Sequence, residues 1–217
     1  MPHPPPTPAP RSSYRHGDLR RALVDAATDL ARSGGPAAVV LREATRRAGV
    51  APNAAYRHFA SREDLLRAVR TAGLGAMAHS MEVELAKVRR GLAPADAARA
   101  SLRAVGRGYL RFAQAEPGLF HTAFLASGVQ LTRPDAPRPP EAGPSPYTLL
   151  SAALDKFVEA GLLTPARREG AEVLAWSAVH GLAMLVIDGP LTGAIPARKL
   201  KQLEERLLDM VEAGLAA

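Results

Sequence analysis

The sequence predicts an all-α protein: a three-helix N-terminal helix-turn-helix domain followed by a six-helix C-terminal bundle. Three observations carry that expectation. Apolar residues recur at helical spacing along most of the 217 residues, with no alternating strand pattern and no internal repeat. The stretch Leu41 to Phe59 reads as two short helices joined by a tight turn at Gly49. Positive charge is also unevenly placed: the chain carries +7, and residues 1–72 hold 12 Lys+Arg against 6 Asp+Glu, whereas the rest holds 16 against 15. A surplus confined to the segment with the paired helices is the footprint of a polyanion-binding face.

The N-terminus, with six prolines in its first ten residues, lacks the apolar run of a signal peptide. Residues 1–14 are expected to be a disordered, extended arm. A first helix is predicted from about Asp18 to Ser33, with Leu19, Leu23, Ala26, Ala27 and Leu30 on one stripe and Gly34-Gly35-Pro36 as its stop. The second carries Leu41, Ala44, Thr45 and Ala48 on one face, and Gly49 supplies the left-handed residue that ends it. Val50 drops into the core, and Pro52 opens the third helix, where a missing amide hydrogen costs nothing. That helix presents short side chains (Asn53, Ala54, Ala55), then Tyr56, Arg57 and His58. A low-profile first turn fits against a major-groove floor, while hydroxyl, imidazole and guanidinium groups behind it reach phosphates.

Ser61 to Asp64 reads as a capping-box variant opening a fourth helix, expected to run toward Arg90 with a bend at Gly73 or Gly75. A fifth, from Pro94, aligns Leu102, Val105, Tyr109 and Phe112 and stops at Pro117; a short sixth covers Leu119–Ala126. Six prolines in 128–146 preclude regular structure there and predict a mobile loop. The seventh helix is placed at Tyr147–Ala160. The eighth, at Ala166–Asp188, is apolar on most of its circumference, and the ninth, at Ala197–Ala213, is amphipathic. An excess apolar face of that kind is most simply covered by a second copy, so residues 166–188 and 197–213 are the expected homodimer contact. The domain boundaries that follow are 1–14 for the arm, 15–72 for the helix-turn-helix domain and 73–217 for ligand binding and dimerisation.

The absence of cysteine excludes disulfides, thiolate metal sites and thiol nucleophiles, and fits a cytoplasmic setting. The apolar run Leu174–Ile187 is broken by Ser177, His180 and Gly181, short of the roughly 18 residues a membrane span needs. The six histidines form no set with an acid and a nucleophile, so no enzyme is expected. No metal site or cofactor is expected either, since His180 has no ligand-type residue at helical spacing nearer than Asp188.

Tyr14 to Arg20, Leu41–Phe59 and Ser61–Leu66 resemble, in order and spacing, the N-terminal domain of TetR-family transcriptional regulators. Tyr109 to Ala113, Pro117 to Phe120 and Trp176 to Leu182 resemble the C-terminal subclass named for its Trp-His-Gly motif. The resemblance implies an all-helical homodimer that represses transcription from a near-palindromic DNA operator and is released by a small-molecule effector. It also implies DNA-contacting roles. Tyr56 and His58 donate to phosphates; Arg42 contacts base or phosphate; Asn53, Ala54 and Ala55 face bases; Arg62 clamps a phosphate; and Arg15 reaches an adjacent groove. Phe112, Phe120, Phe124, Leu149, Trp176, His180 and Met184 are the candidate effector-pocket residues. The chain departs from the family pattern at Ala51, where a capping Ser or Thr is usual and whose loss typically costs about 1 kcal/mol, and at Thr45 and Val40. The alternative reading is a small-molecule-sensing helical dimer whose DNA binding is weakened or lost.

Overall fold

The computed structural model describes residues 16–125 and 143–216. The expected arm with Arg15, and most of the expected loop, lie outside the described residues. Among those described there are ten helices and no strand: α1 (His16–Ala38), α2 (Leu41–Ala48), α3 (Pro52–Ala55), α4 (Arg62–Leu85), α5 (Pro94–Ala115), α6 (Pro117–Leu125), α7 (Pro146–Glu159), α8 (Pro165–Arg168), α9 (Ala171–Ile187) and α10 (Ala197–Ala216). The all-α expectation holds.

The front of the molecule is a small core. Leu23, Leu30, Val39, Leu41, Phe59 and Leu65 from α1, α2, the start of α4 and the intervening turns are buried together, each burial favourable by roughly 1.5–3 kcal/mol. The regular part of α1 stops where the glycines predict. Gly35 takes φ 63 and ψ −162, a conformation closed to other residues, and the helical turn resumes only at Pro36. Ser61 caps α4 by accepting the Asp64 amide, and Asp64 accepts the Ala60 amide in return.

Helix α4 runs from this front core into the rear one, where it lies along α5. It ends at Leu85 rather than near Arg90, and neither Gly73 nor Gly75 breaks it. Gly73 serves packing instead, since a Cβ there would stand 3.2 Å from Leu119 Cδ1. Gly108 of α5 plays the same part against α4, where a Cβ would come within 2.8 Å of the Met81 nitrogen and the Ser80 oxygen. Helix α6 wedges between α1 and α4, opening at Pro117, two residues before the expected start. Ser145 and Thr148 close a full capping box at the head of α7.

The single eighth helix expected from Ala166 is two. Gly170, at φ 75, separates the one-turn α8 from α9, and Arg168 folds back onto Asp155, Ser151 and Glu172. Helix α10 docks on α5 through ion pairs: Arg107 binds Glu205 with both arms at 2.7 Å, Arg103 reaches Glu205 and Asp209, and Arg99 reaches Glu212. The Arg107 and Arg103 guanidinium groups hold the Glu205 carboxyl down at about 2. Among the described residues, no helix is long and apolar enough to cross a membrane, and no group of His, Asp and Glu could hold a metal ion.

Candidate nucleic-acid interface and effector pocket

The turn between α2 and α3 is set by Gly49 at φ 68 and ψ 30. Its N–H donates to Arg46 O at 3.3 Å and the Val50 N–H donates to Thr45 O at 3.1 Å, the reciprocal pair of a Schellman end. Thr45, buried on the inner face, satisfies its hydroxyl on Arg42 O at 2.7 Å. Glu43 accepts from Arg46 and Arg47, and its carboxyl falls to about 2 in response.

Helix α3 is shorter than the sequence indicates. Ala51 gives it no side-chain cap, and it ends after four residues with Tyr56 at its C-terminal boundary. Ala55 O then receives both the His58 and Phe59 amides at 2.9 Å, which tucks Phe59 into the core. The resulting face exposes Asn53, Tyr56 (61% exposed) and Arg57, with Ala54 and His58 half-buried beside them; Arg42 is exposed on α2.

One expected contact requires correction, and a second residue has structural partners that the sequence did not indicate. Ala55 has no exposed surface, so its methyl group belongs to the front core and cannot touch a base. Arg62 is already engaged: its Nε donates to Val39 O at 2.8 Å and its Nη2 to Pro36 O at 2.5 Å, tying α4 to the turn that follows α1. An arginine after a capping serine gave no hint of those distant carbonyls. Arg20 was likewise missed; its guanidinium lies 5.2 Å from the Phe59 ring centroid.

In the rear, four of the expected pocket residues meet in one ring cluster. Phe124 and His180 stand 4.9 Å apart, Phe120 and Phe124 4.9 Å, and Trp176 and His180 6.0 Å between centroids. Phe112 is fully in the core, while Leu149 and Met184 pack partly buried against it. The residue that organises the cluster is Tyr109, which the pattern had marked only as part of an apolar stripe. It is buried, edge-on to Phe120 at 5.7 Å, and its hydroxyl lies 2.7 Å from His180 Nδ1 while accepting the Trp176 Nε1–H at 3.1 Å. Burial raises the Tyr109 phenol and lowers the His180 imidazole, so both groups are neutral near pH 7.

The front and rear cores meet along α6. A Cβ at Gly118 would stand 2.6 Å from Arg32 O of α1, and Arg32 Nε donates to Glu116 at 3.1 Å. Arg70 of α4, buried at 3% exposure, donates its Nε to Ala123 O of α6 at 2.8 Å, and among the described residues its Nη1 has no partner. Burial lowers its pKa.

Two family models match the chain. Bacterial regulatory proteins of the tetR family match residues 23–69, and the tetracyclin repressor-like C-terminal domain matches residues 102–211, about half of the chain. Among solved structures, a protein of unknown function from Rhodococcus sp. RHA1 is similar at 26% identity and TM-score 0.72, covering 95% of this chain and 100% of that one. A transcriptional regulator from Rhodococcus sp. Rha1 has 20% identity, TM-score 0.52, and coverage of 91% and 98%. The TetR family transcriptional regulator PfmR from Thermus thermophilus has 17% identity, TM-score 0.50, and coverage of 90% and 99%. No curated protein matches. Paired helices with an exposed third-helix face, and both family models matched in order along the chain, make this protein a member of the TetR family of DNA-binding transcriptional regulators.

Proposed function

We propose that the protein is a cytoplasmic, effector-responsive repressor that binds a near-palindromic operator as a homodimer. Residues 15–72 serve as its DNA-binding unit, and residues 73–217 as its effector and dimerisation unit. The observation that carries the reading is the division of labour around α3. Phe59 and Ala55 anchor the turn inward, and Asn53, Tyr56 and Arg57 stand outward on the most basic part of the chain. Tyr56, His58 and Arg42 then contact phosphates, and Asn53 and Ala54 face bases. Exposed apolar side chains on the last two long helices support the dimer: Val173, Leu174 and Leu185 on α9, and Met210 on α10. The ring cluster around His180 is the effector site. Effector binding shifts a two-state dimer away from the spacing of about 34 Å that one DNA turn requires; a coupling of about 1–3 kcal/mol suffices to change occupancy several-fold or more. Helices α4 and α6 span the two cores and carry the change.

The test is fluorescence anisotropy with an operator selected from a random DNA pool. Tyr56→Phe weakens operator and non-operator DNA alike and lowers the salt slope by about one, whereas Asn53→Ala changes sequence preference. A purified protein with no salt-dependent affinity for any duplex would overturn the reading. It would favour a sensing dimer without DNA binding, the alternative that the uncapped, four-residue α3 supports.

A further inference from the structure

Resting on the reading of the ring cluster as the effector site, we infer that its ligand is an uncharged, flat, apolar compound carrying a carbonyl oxygen, which His180 Nε2–H receives. The inference follows from tracing hydrogens through three side chains. The Trp176 indole nitrogen only donates, so the Tyr109 oxygen accepts from it. The Tyr109 hydroxyl hydrogen is buried and must find an acceptor. Among the described residues, the acceptor it meets is His180 Nδ1 at 2.7 Å. Were Nδ1 to donate instead, the phenolic oxygen would accept twice and its own hydrogen would be stranded in the core. Nδ1 is therefore the acceptor, and the imidazole proton sits on Nε2.

The relay leaves His180 a one-sided donor. Its Nε2–H has no acceptor among the described residues, and the ring is only half-buried. Around it lie the half-buried Phe124 at 4.9 Å and Trp176 at 6.0 Å between centroids, backed by the fully buried Phe120 at 5.6 Å, so a flat apolar body would stack on the Phe124 and Trp176 faces. The balance of charge selects among acceptor-bearing ligands. No carboxylate bonds to any of these five rings in a described contact, so a cation gains no counter-charge, and the N–H faces it with the wrong polarity. A carboxylate would trade its hydration for one N–H, a poor exchange in an apolar site. A ketone, ester, lactone or quinone oxygen is satisfied by one donor and costs little to desolvate.

The experiment is calorimetric titration of the full-length protein, without DNA, with four naphthalenes matched in shape. They are 2-acetylnaphthalene, the hydrocarbon 2-isopropylnaphthalene, 2-naphthoate and a 2-naphthyltrimethylammonium salt. The ketone binds about tenfold tighter than the hydrocarbon, as one satisfied hydrogen bond allows, and tighter than either ion. Tyr109→Phe releases Nδ1 and cuts the preference for the ketone over the hydrocarbon to about twofold or less. His180→Gln, which keeps an amide donor, retains a preference for the ketone. Nitrogen-15 NMR of the free protein finds His180 in the Nε2–H tautomer, a readout that needs no ligand. Equal binding of ketone and hydrocarbon, tighter binding of either ion, no binding of the ketone, or the Nδ1–H tautomer overturns the inference. Because DNA is absent, loss of operator binding would sink the proposed function and leave this result standing, and the converse also holds.

Discussion

Gly118→Ala tests whether the contact between α6 and α1 is as close as the backbone places it. The added Cβ would stand 2.6 Å from Arg32 O and 3.1 Å from Arg32 C, and nearer still to Ala31 O. Favourable separations are about 3.5–4.0 Å. All three atoms are backbone, so no rotamer change relieves the clash; α6 must lift away, or the end of α1 must bend. Overpacking of this kind costs about 1–3 kcal/mol. Against it stands about 0.5–1 kcal/mol gained because alanine loses less backbone entropy than glycine in a helix. With three backbone atoms this close the upper part of that cost, about 2–3 kcal/mol, applies, so the expected net loss is about 1–2.5 kcal/mol, and at about 2–4 °C per kcal/mol for a chain of this size Tm falls by roughly 2–10 °C. Gly75→Ala supplies the opposite sign. It lies within α4 with nothing within 4 Å of its added Cβ, so the helix gain is unopposed and Tm rises by roughly 1–4 °C. Thermal and urea unfolding followed by far-ultraviolet circular dichroism reads both. A Gly118→Ala protein as stable as the parent would refute the argument, because α6 could then not lie where the steric reasoning requires.

Three further outcomes follow from particular contacts. Arg62→Ala removes two bonds to the Pro36 and Val39 carbonyls and destabilises the front core by about 1–3 kcal/mol, while the salt dependence of DNA binding keeps its slope; a slope lowered by about one would restore the phosphate role. Glu205 is held at about 2 against an ordinary 4.5. Its contribution is therefore complete above pH 4.5 and is lost as acid titrates it toward pH 2, because the unfolded chain takes up the proton first. Glu205→Gln should flatten that acid limb in unfolding measured from about pH 5 downward, and an unchanged limb would contradict the pairing. Arg70→Met exchanges a buried guanidinium that has no carboxylate partner among the described residues for an apolar side chain, so urea unfolding should show stability unchanged or raised by about 1 kcal/mol; a loss above about 2 kcal/mol would show that Nη1 is in fact satisfied.

The sequence by itself determined whatever depends on neighbours in the chain. Helical periodicity, the glycine stops at Gly34-Gly35 and Gly49, the capping residues at Ser61, and the proline at the head of α3 act within a turn or two of backbone. The class, the paired helices and most helix boundaries were therefore legible. The missed boundary at Gly170 is instructive, since Ala166-Arg-Arg-Glu169 has the composition of a polar first turn of the helix that follows, and the break rests on Gly170 at φ 75 and on Arg168 folding onto α7 and α9. What tertiary structure alone decided are the roles set by distant partners. Ala55 turns inward because Phe59 does, and Arg62 is spent on carbonyls 23 and 26 residues away. The Tyr109 hydroxyl meets groups 67 and 71 residues along the chain. Periodicity tells which face of a helix is buried; it carries no information about which atom on another helix arrives there, because that is fixed by the packing of the whole core.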